Sequence, residues 1–406
     1  MRGSAYLPSA MQKRGIDIAI LGGGLAGGLI ALTLAEKRPE LNLLLIERGE
    51  TFGGNHVWSS FATDIDSKHA WLLEPLIANR WSGYDVHFPG YSRTLKADYR
   101  SITSERLDAA LRAALPGDAI VTGAEVAEAG QDFIRLAGKR KLTVGGVIDA
   151  RGLSGGMPHM AGGWQVFVGQ LLELEEPHGL ARPVVIDARV DQSDGYRFVY
   201  CLPFGERQVF VEDTYYADTS ELDLPKLKGR IAAYAGEQGW KITGIGREEA
   251  GVLPVIADGD FEAFWPDWKH EPARAGARAA LVHPMTSYSL PDAVRFAHHI
   301  AGLDDLSGAA LAGASYDYAR SHWRKGDFYR MLAKMFFGAA RPDQRYKVLA
   351  RFYTLSEGLI ERFYAGKTST TDRMRLLAGK PPVPIADAMA SLAGMGRPLA
   401  PLGEAA

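Results

Sequence analysis

Cysteine is almost absent: Cys201 stands alone in 406 residues, so no intrachain disulfide can form and no thiolate-clustered metal site can be built. That fits a reducing cytosol, with Cys201 read as a small buried hydrophobe. An excess of either charge is missing too. The 46 Lys and Arg nearly balance 48 Asp and Glu, a formal net charge of -2, so any attraction for nucleic acid or anionic lipid must be local. No internal repeat or Ser/His/Asp constellation stands out, and neither His56 nor His283 has metal-ligand spacing, so no metal is expected. One long stretch lacks charge, Ile18 to Ala35, but its glycines argue against a membrane span or a signal peptide. What is present, 47% hydrophobic and 23% charged residues, is the balance of a soluble globular protein of two or three domains.

The glycines of that uncharged stretch carry the first positive signal. Ile16 to Leu21 reads as a short strand, Gly22 to Gly28 as a turn, and Leu29 to Lys37 as the helix after it, the first unit of a Rossmann fold. Gly22 lets the chain turn tightly, Gly24 lets backbone approach a pyrophosphate, and Gly27 lets helix pack on strand. A second strand, Leu41 to Ile46, ends at Glu47, roughly 25 residues after Gly22, where a carboxylate can accept hydrogen bonds from ribose hydroxyls.

Two further segments favour FAD over NAD. Val144 to Ile148 runs into Asp149-Ala150-Arg151-Gly152, which resembles the strand and small-residue turn that FAD-dependent proteins of the glutathione-reductase type place beside the cofactor. The other is Gly276 to Pro284 followed by Met285 to Asp292, where Ser289 can cap a new helix, Pro291 suits its first turn and Asp292 its positive end. Such a terminus favours negative charge on a flavin pyrimidine. Flavin hydroxylases usually carry Gly-Asp in this segment, yet no acid occurs between Gly276 and Pro291, and Arg278 stands near that place. Hydroxylase chemistry is weakened by this, while flavin binding survives.

The fold expected is α/β: a Rossmann-type FAD-binding domain of the glutathione-reductase type, a β-sheet substrate domain and a helical C-terminal region. The cofactor domain is assembled from residues 15–60, 100–160 and 265–310, and the substrate domain from 61–99 and 161–264. Residues 311–380 form the helical region and 381–406 a mobile tail. Met1-Arg2-Gly3-Ser4 reads as an added leader. Within the helical region, Arg320 to Arg351 carries nine Lys or Arg against Asp327 and Asp343, interleaved with aromatic residues. It reads equally as an anionic-membrane surface or as helices covering the core with a solvated basic face. No nucleic-acid module accompanies it.

Glu212 is the anomaly, a carboxylic acid in the run Phe210-Val211-Glu212-Asp213-Thr214 of an apparent flavoprotein. Gln208 to Tyr215 has strand-like composition, so Phe210, Glu212 and Thr214 share one face and Val209, Val211 and Asp213 the other. From the residues alone, an exposed strand acid before a turn is the more ordinary reading.

The glycine turn, Gly53 to Ser59, the Glu212-centred run and His283 to Ala297, in this order, resemble a bacterial flavin-dependent lycopene cyclase over roughly residues 15 to 380. Ser287 stands where that family usually has glycine. The resemblance implies a lycopene β-cyclase, working without net redox change on reduced FAD, with NAD(P)H as the expected external reductant. It implies lycopene and other acyclic carotenoids as substrates, and a cytoplasmic enzyme held peripherally on the inner face of the membrane. A terminal double bond is protonated, the cation closes a ring, and a proton is lost. An alkene is a weak base, so the acid must stay protonated at neutral pH, which burial can achieve. Glu212 is then the expected acid, with reduced flavin as the rival donor. Asp213 would orient the site from behind, and His283 would serve in structural or flavin contact, or as the base. The expected cofactor contacts are Gly22, Gly24, Gly27, Glu47, His56, Asp149, Gly152, Ser287, Tyr288 and Ser289. Tyr196, Phe198, Tyr200, Phe204, Phe210, Tyr215 and Tyr216 are candidates to face the cation. The alternatives are a flavin-dependent monooxygenase of a lipophilic substrate and a catalytically silent flavin-binding protein on a membrane.

Overall fold

Five short strands rich in Ile, Leu, Val and Ala meet in one parallel sheet, because strands covered on both faces need no polar side. In a computed structural model of the chain, which describes residues 15–153, 156–379 and 381–403, Ile18–Leu21 is flanked by Gly146–Asp149 and Leu43–Ile46. Ala273–Arg274 and Ile120–Val121 complete the sheet at its two edges. The helix Leu25–Lys37 starts inside the glycine turn, four residues earlier than its sequence suggests, and packs against the later helix Leu290–Ala301. Met1–Ser4 lie outside the described residues.

A second, larger sheet is mostly antiparallel. Its order is Ile242–Gly259, Met160–Leu174, Gln208–Ala217, Tyr196–Gly205, Val184–Asp187, Tyr84–Phe88 and Tyr91–Leu95, with Ala400–Pro401 added beside Met160–Leu174. One face receives the helix Leu224–Glu237; against the strands Met160–Leu174 and Ile242–Gly259 the sheet also receives the helix Asp327–Gly338. Alternation of side chains then splits the sheet's residues between two apolar clusters, one holding Phe198, Phe210 and Phe336, the other Val199, Val211 and Ile231. Cys201 belongs to the second, buried beside the Tyr234 hydroxyl at 3.7 Å, with its thiol pushed up to about 12 by burial.

The C-terminal region departs from expectation twice. Residues 381–406 were expected as a mobile tail, but Ile385–Leu392 forms a helix against Asp327–Gly338, and Ala400–Pro401 pairs with the sheet. Apolar packing on one side and a vacant stretch of sheet edge on the other supply what the Pro/Gly/Ala composition does not announce. The basic stretch 320–351 is not one exposed face either. Arg345 is fully buried, Arg330 lies 3.5 Å over the Trp323 ring, and Arg320 and Lys334 pair with Glu262 and Asp258. Its aromatic residues are largely core, with Phe336 and Phe337 each 2% exposed. Among the described residues, no helix is long and apolar enough to cross a membrane.

Candidate active site

The glycine turn leaves an opening of the right kind for a dinucleotide. A side chain at Gly22 (φ +93) would strike the Ala150 carbonyl at 2.8 Å, and one at Gly27 would strike the Gly22 carbonyl at 2.0 Å. Gly24 differs: nothing lies within 4 Å of where its Cβ would stand, and as N-cap of Leu25–Lys37 it leaves that helix without a side-chain cap. Free N–H groups and a positive helix end therefore face open space, where a diphosphate fits. Glu47 is brought to the same turn, accepting the Gly23 N–H at 2.8 Å and the Gly49 N–H at 2.9 Å.

The other expected cofactor residues fall into place unequally. Gly152 (φ +72) has open space where a side chain would be. Asp149 is buried with its carboxylate held by Arg151 at 2.7 Å and Arg278 at 3.0 Å, so it ties the second and third cofactor segments together. Ser287 adopts the left-handed φ of +57 that makes glycine usual there, and its hydroxyl donates to the Pro254 carbonyl at 2.6 Å, offsetting the strain. Ser289 occupies the N-cap of Leu290–Ala301 but makes no side-chain capping bond, against expectation; its backbone is helical there, which turns the hydroxyl from the free N–H groups. Asp292 is held well below the usual carboxylate range by His322 and Arg295, despite its burial.

His283 is poorly placed for proton removal. Its Nε2 lies 3.0 Å from the Phe363 carbonyl and its Nδ1 accepts the Met285 N–H at 3.3 Å, so neither ring nitrogen is spare. Burial lowers the ring to about 4. Asp213 is also turned away. It is fully buried on the face covered by Leu224–Glu237, in a bidentate pair with Arg197, whose Nη2 donates to Oδ2 at 2.5 Å and Nε to Oδ1 at 3.1 Å.

Glu212 lies on the opposite face of the same strand. It is half-buried, and protein encloses it closely enough that burial, then the neighbouring Glu249, push its carboxyl well above the usual range. The Thr214 hydroxyl sits 2.6 Å from its Oε1. Sequence reading missed Glu249. Both acids are in register with Gly169 of the strand between them, so they meet over a residue that has no side chain. Glu249 is 2% exposed, accepts the Val57 N–H at 2.7 Å, and lies 3.7 Å from His56. The signal was the pair Glu248-Glu249 in a strand, but nothing local to it says which strand lies beside Gly169.

Next to Glu212 the strand Tyr196–Gly205 places Tyr200, whose hydroxyl is 3.2 Å from that of Tyr288. These two tyrosines also line an apolar cavity of about 470 Å³. Tyr196, Phe198, Tyr216 and Phe336 line its walls; Glu212 does not line it. Phe204 and Phe210, expected with these aromatics, stack on each other instead, and Tyr215 lies on the far face with its hydroxyl on the Glu221 carbonyl. Leu377, Ile385 and Met389 rim the cavity and are 53%, 67% and 61% exposed, so its apolar lining continues onto the surface. Among the described residues, no cluster of His, Cys, Asp and Glu could hold a metal ion.

Comparison with known proteins agrees across nearly the whole chain. The family model described as lycopene cyclase protein matches residues 17–390. A lycopene beta-cyclase of Pseudescherichia vulneris is 45% identical over 92% of this chain and 96% of its own, and one of Pantoea ananas 41% identical over 93% and 97%. In architecture the chain is similar to a flavin-dependent brominase, with a TM-score of 0.56 at 14% identity, covering 87% of this chain and 94% of that one.

Proposed function

The chain belongs to the lycopene cyclase family, and from that premise we propose that it closes the ends of lycopene into β-ionone rings, first to γ-carotene and then to β-carotene. The observation that carries the reading is Glu212, its carboxyl raised well above the usual range by burial and by Glu249, paired across the sheet with Tyr200, which lines a 470 Å³ apolar cavity. Glu212 gives its proton to C2 of the terminal C1=C2 bond. The C5=C6 bond attacks the cation at C1, and the proton lost from C6 balances the one added. No electron is consumed. Tyr200 and Tyr288 present aromatic surface to the cavity, suited to a developing cation.

FAD is the cofactor we propose, with its diphosphate against Gly24 and its ribose against Glu47. When bound and reduced it supplies negative charge near the cation; NAD(P)H is the proposed external reductant. The exposed apolar rim of the cavity supports peripheral contact with a membrane that holds the polyene, here the cytoplasmic face of the inner membrane.

The test is to incubate lycopene liposomes with the protein and reduced FAD, strictly without oxygen, in D2O. Cyclised, unoxygenated carotenoid carrying about one deuterium per ring is expected, since the added proton comes from an exchangeable acid. An absolute oxygen requirement would sink the cyclase reading and favour a monooxygenase.

A further inference from the structure

We propose that Glu249 is a positioning residue for Glu212: the two carboxyls share one proton, Glu249 carries the negative charge, and Glu212 keeps the proton it delivers. This rests on Glu212 being the donor.

The geometry comes from the sheet. Glu249 of Ile242–Gly259 and Glu212 of Gln208–Ala217 both stand opposite Gly169 of Met160–Leu174, hence on the same face. A Cβ on Gly169 would lie 2.3 Å from the Phe210 ring, so only glycine leaves room there for that ring beside the two acids. Two carboxyls in hydrogen-bond contact in a buried site cannot both ionise, and one proton stays between them.

The surrounding donors decide which acid is charged. An N–H can only donate, so the Val57 N–H at 2.7 Å fixes Glu249 Oε2 as an acceptor, and His56 stands 3.7 Å away on the same side. Glu212 has instead the Thr214 hydroxyl, which can donate to a carboxylate or accept from an acid. The Tyr99 and Tyr200 hydroxyls also lie within electrostatic reach of Glu212, and burial raises both well above the usual phenol range, as it does Tyr288, bonded to Tyr200. Asp213 acts only through the sheet and is paired with Arg197, while Glu248 points to the far face toward Lys228. Burial of Glu212 and the closeness of Glu249 push in the same direction, toward a protonated Glu212. Charge fixed on Glu249 is also preorganised for a cation forming nearby.

The test compares parent, Glu249→Gln, Glu249→Asp and Glu212→Gln in lycopene liposomes across pH. Glu249→Gln removes the repulsion that holds the proton on Glu212, so the basic limb of kcat is expected to move to lower pH. Its kcat should fall about tenfold or more, part of the roughly 10²- to 10⁴-fold that a general acid supplies, with KM kept. Glu249→Asp should shift the limb in the same direction by less. Infrared titration gives an independent readout: the protonated-carboxyl band lost in Glu212→Gln should persist to higher pH in the parent than in either Glu249 variant. A basic limb and band at parental pH in Glu249→Gln, with Glu212→Gln inactive, would overturn this inference alone. Parental activity in Glu212→Gln would remove the donor reading and this inference with it.

Discussion

The two faces of the large sheet treat neighbouring acids in opposite ways. Asp213 and Glu248 point toward Leu224–Glu237, where Asp213 meets Arg197 and Glu248 meets Lys228 of that helix. Glu212 and Glu249, one residue away along each strand, point the other way and meet each other. On the first face each of these two acids is paired with a cation and serves the fold. On the second, two acids meet without a cation beside Tyr200, which lines the apolar cavity, and their closeness raises the Glu212 carboxyl, the basis of the proposed chemistry. A shift of one residue in register would exchange the two sets.

Glu212→Gln should break the second face most severely: kcat is expected to fall about 10³- to 10⁴-fold, roughly 4–5 kcal/mol of barrier. The thermal midpoint should hold, because an amide fills the same volume without a titrating group. Cyclised carotenoid per unit time and a melting curve on the same preparation check both halves. Arg197→Met should break the first face instead. Leaving Asp213 buried without its cation is expected to cost about 3 kcal/mol, read as a lower denaturant midpoint, with activity per folded molecule retained. Adding Asp213→Asn should recover much of that loss, as removing both charges leaves no orphan. Gly169→Ala is the mildest test. Its methyl must displace the Phe210 ring, for about 1–2 kcal/mol, and lowers kcat by parting the two acids more than it changes KM. Unchanged kcat there would show that the acids need not meet.

Much of this was legible in the chain. Short-range patterns carried the glycine turn, the strand ending at Glu47 and the separation of Glu212 from Asp213, because each is set by spacing within about ten residues. Ser287 was legible as a departure, and its left-handed φ with the bond to Pro254 explains how a serine is accommodated there. Illegible were the residues whose meaning depends on a distant neighbour. Arg345, one of nine cations in a basic stretch, is a buried side chain over Phe337 with one nitrogen on Asp218. His283 looked free to act until the Phe363 carbonyl and Met285 N–H took both its nitrogens.

By itself, then, the sequence determined the dinucleotide unit, the strand that carries Glu212 and the face on which it lies, since periodicity and glycine sterics act locally. Tertiary structure alone decided that Glu249 is its neighbour. Residues 212 and 249 approach only because two strands pair with the same third one at Gly169, and strand order and register are settled by long-range burial that no local spacing encodes.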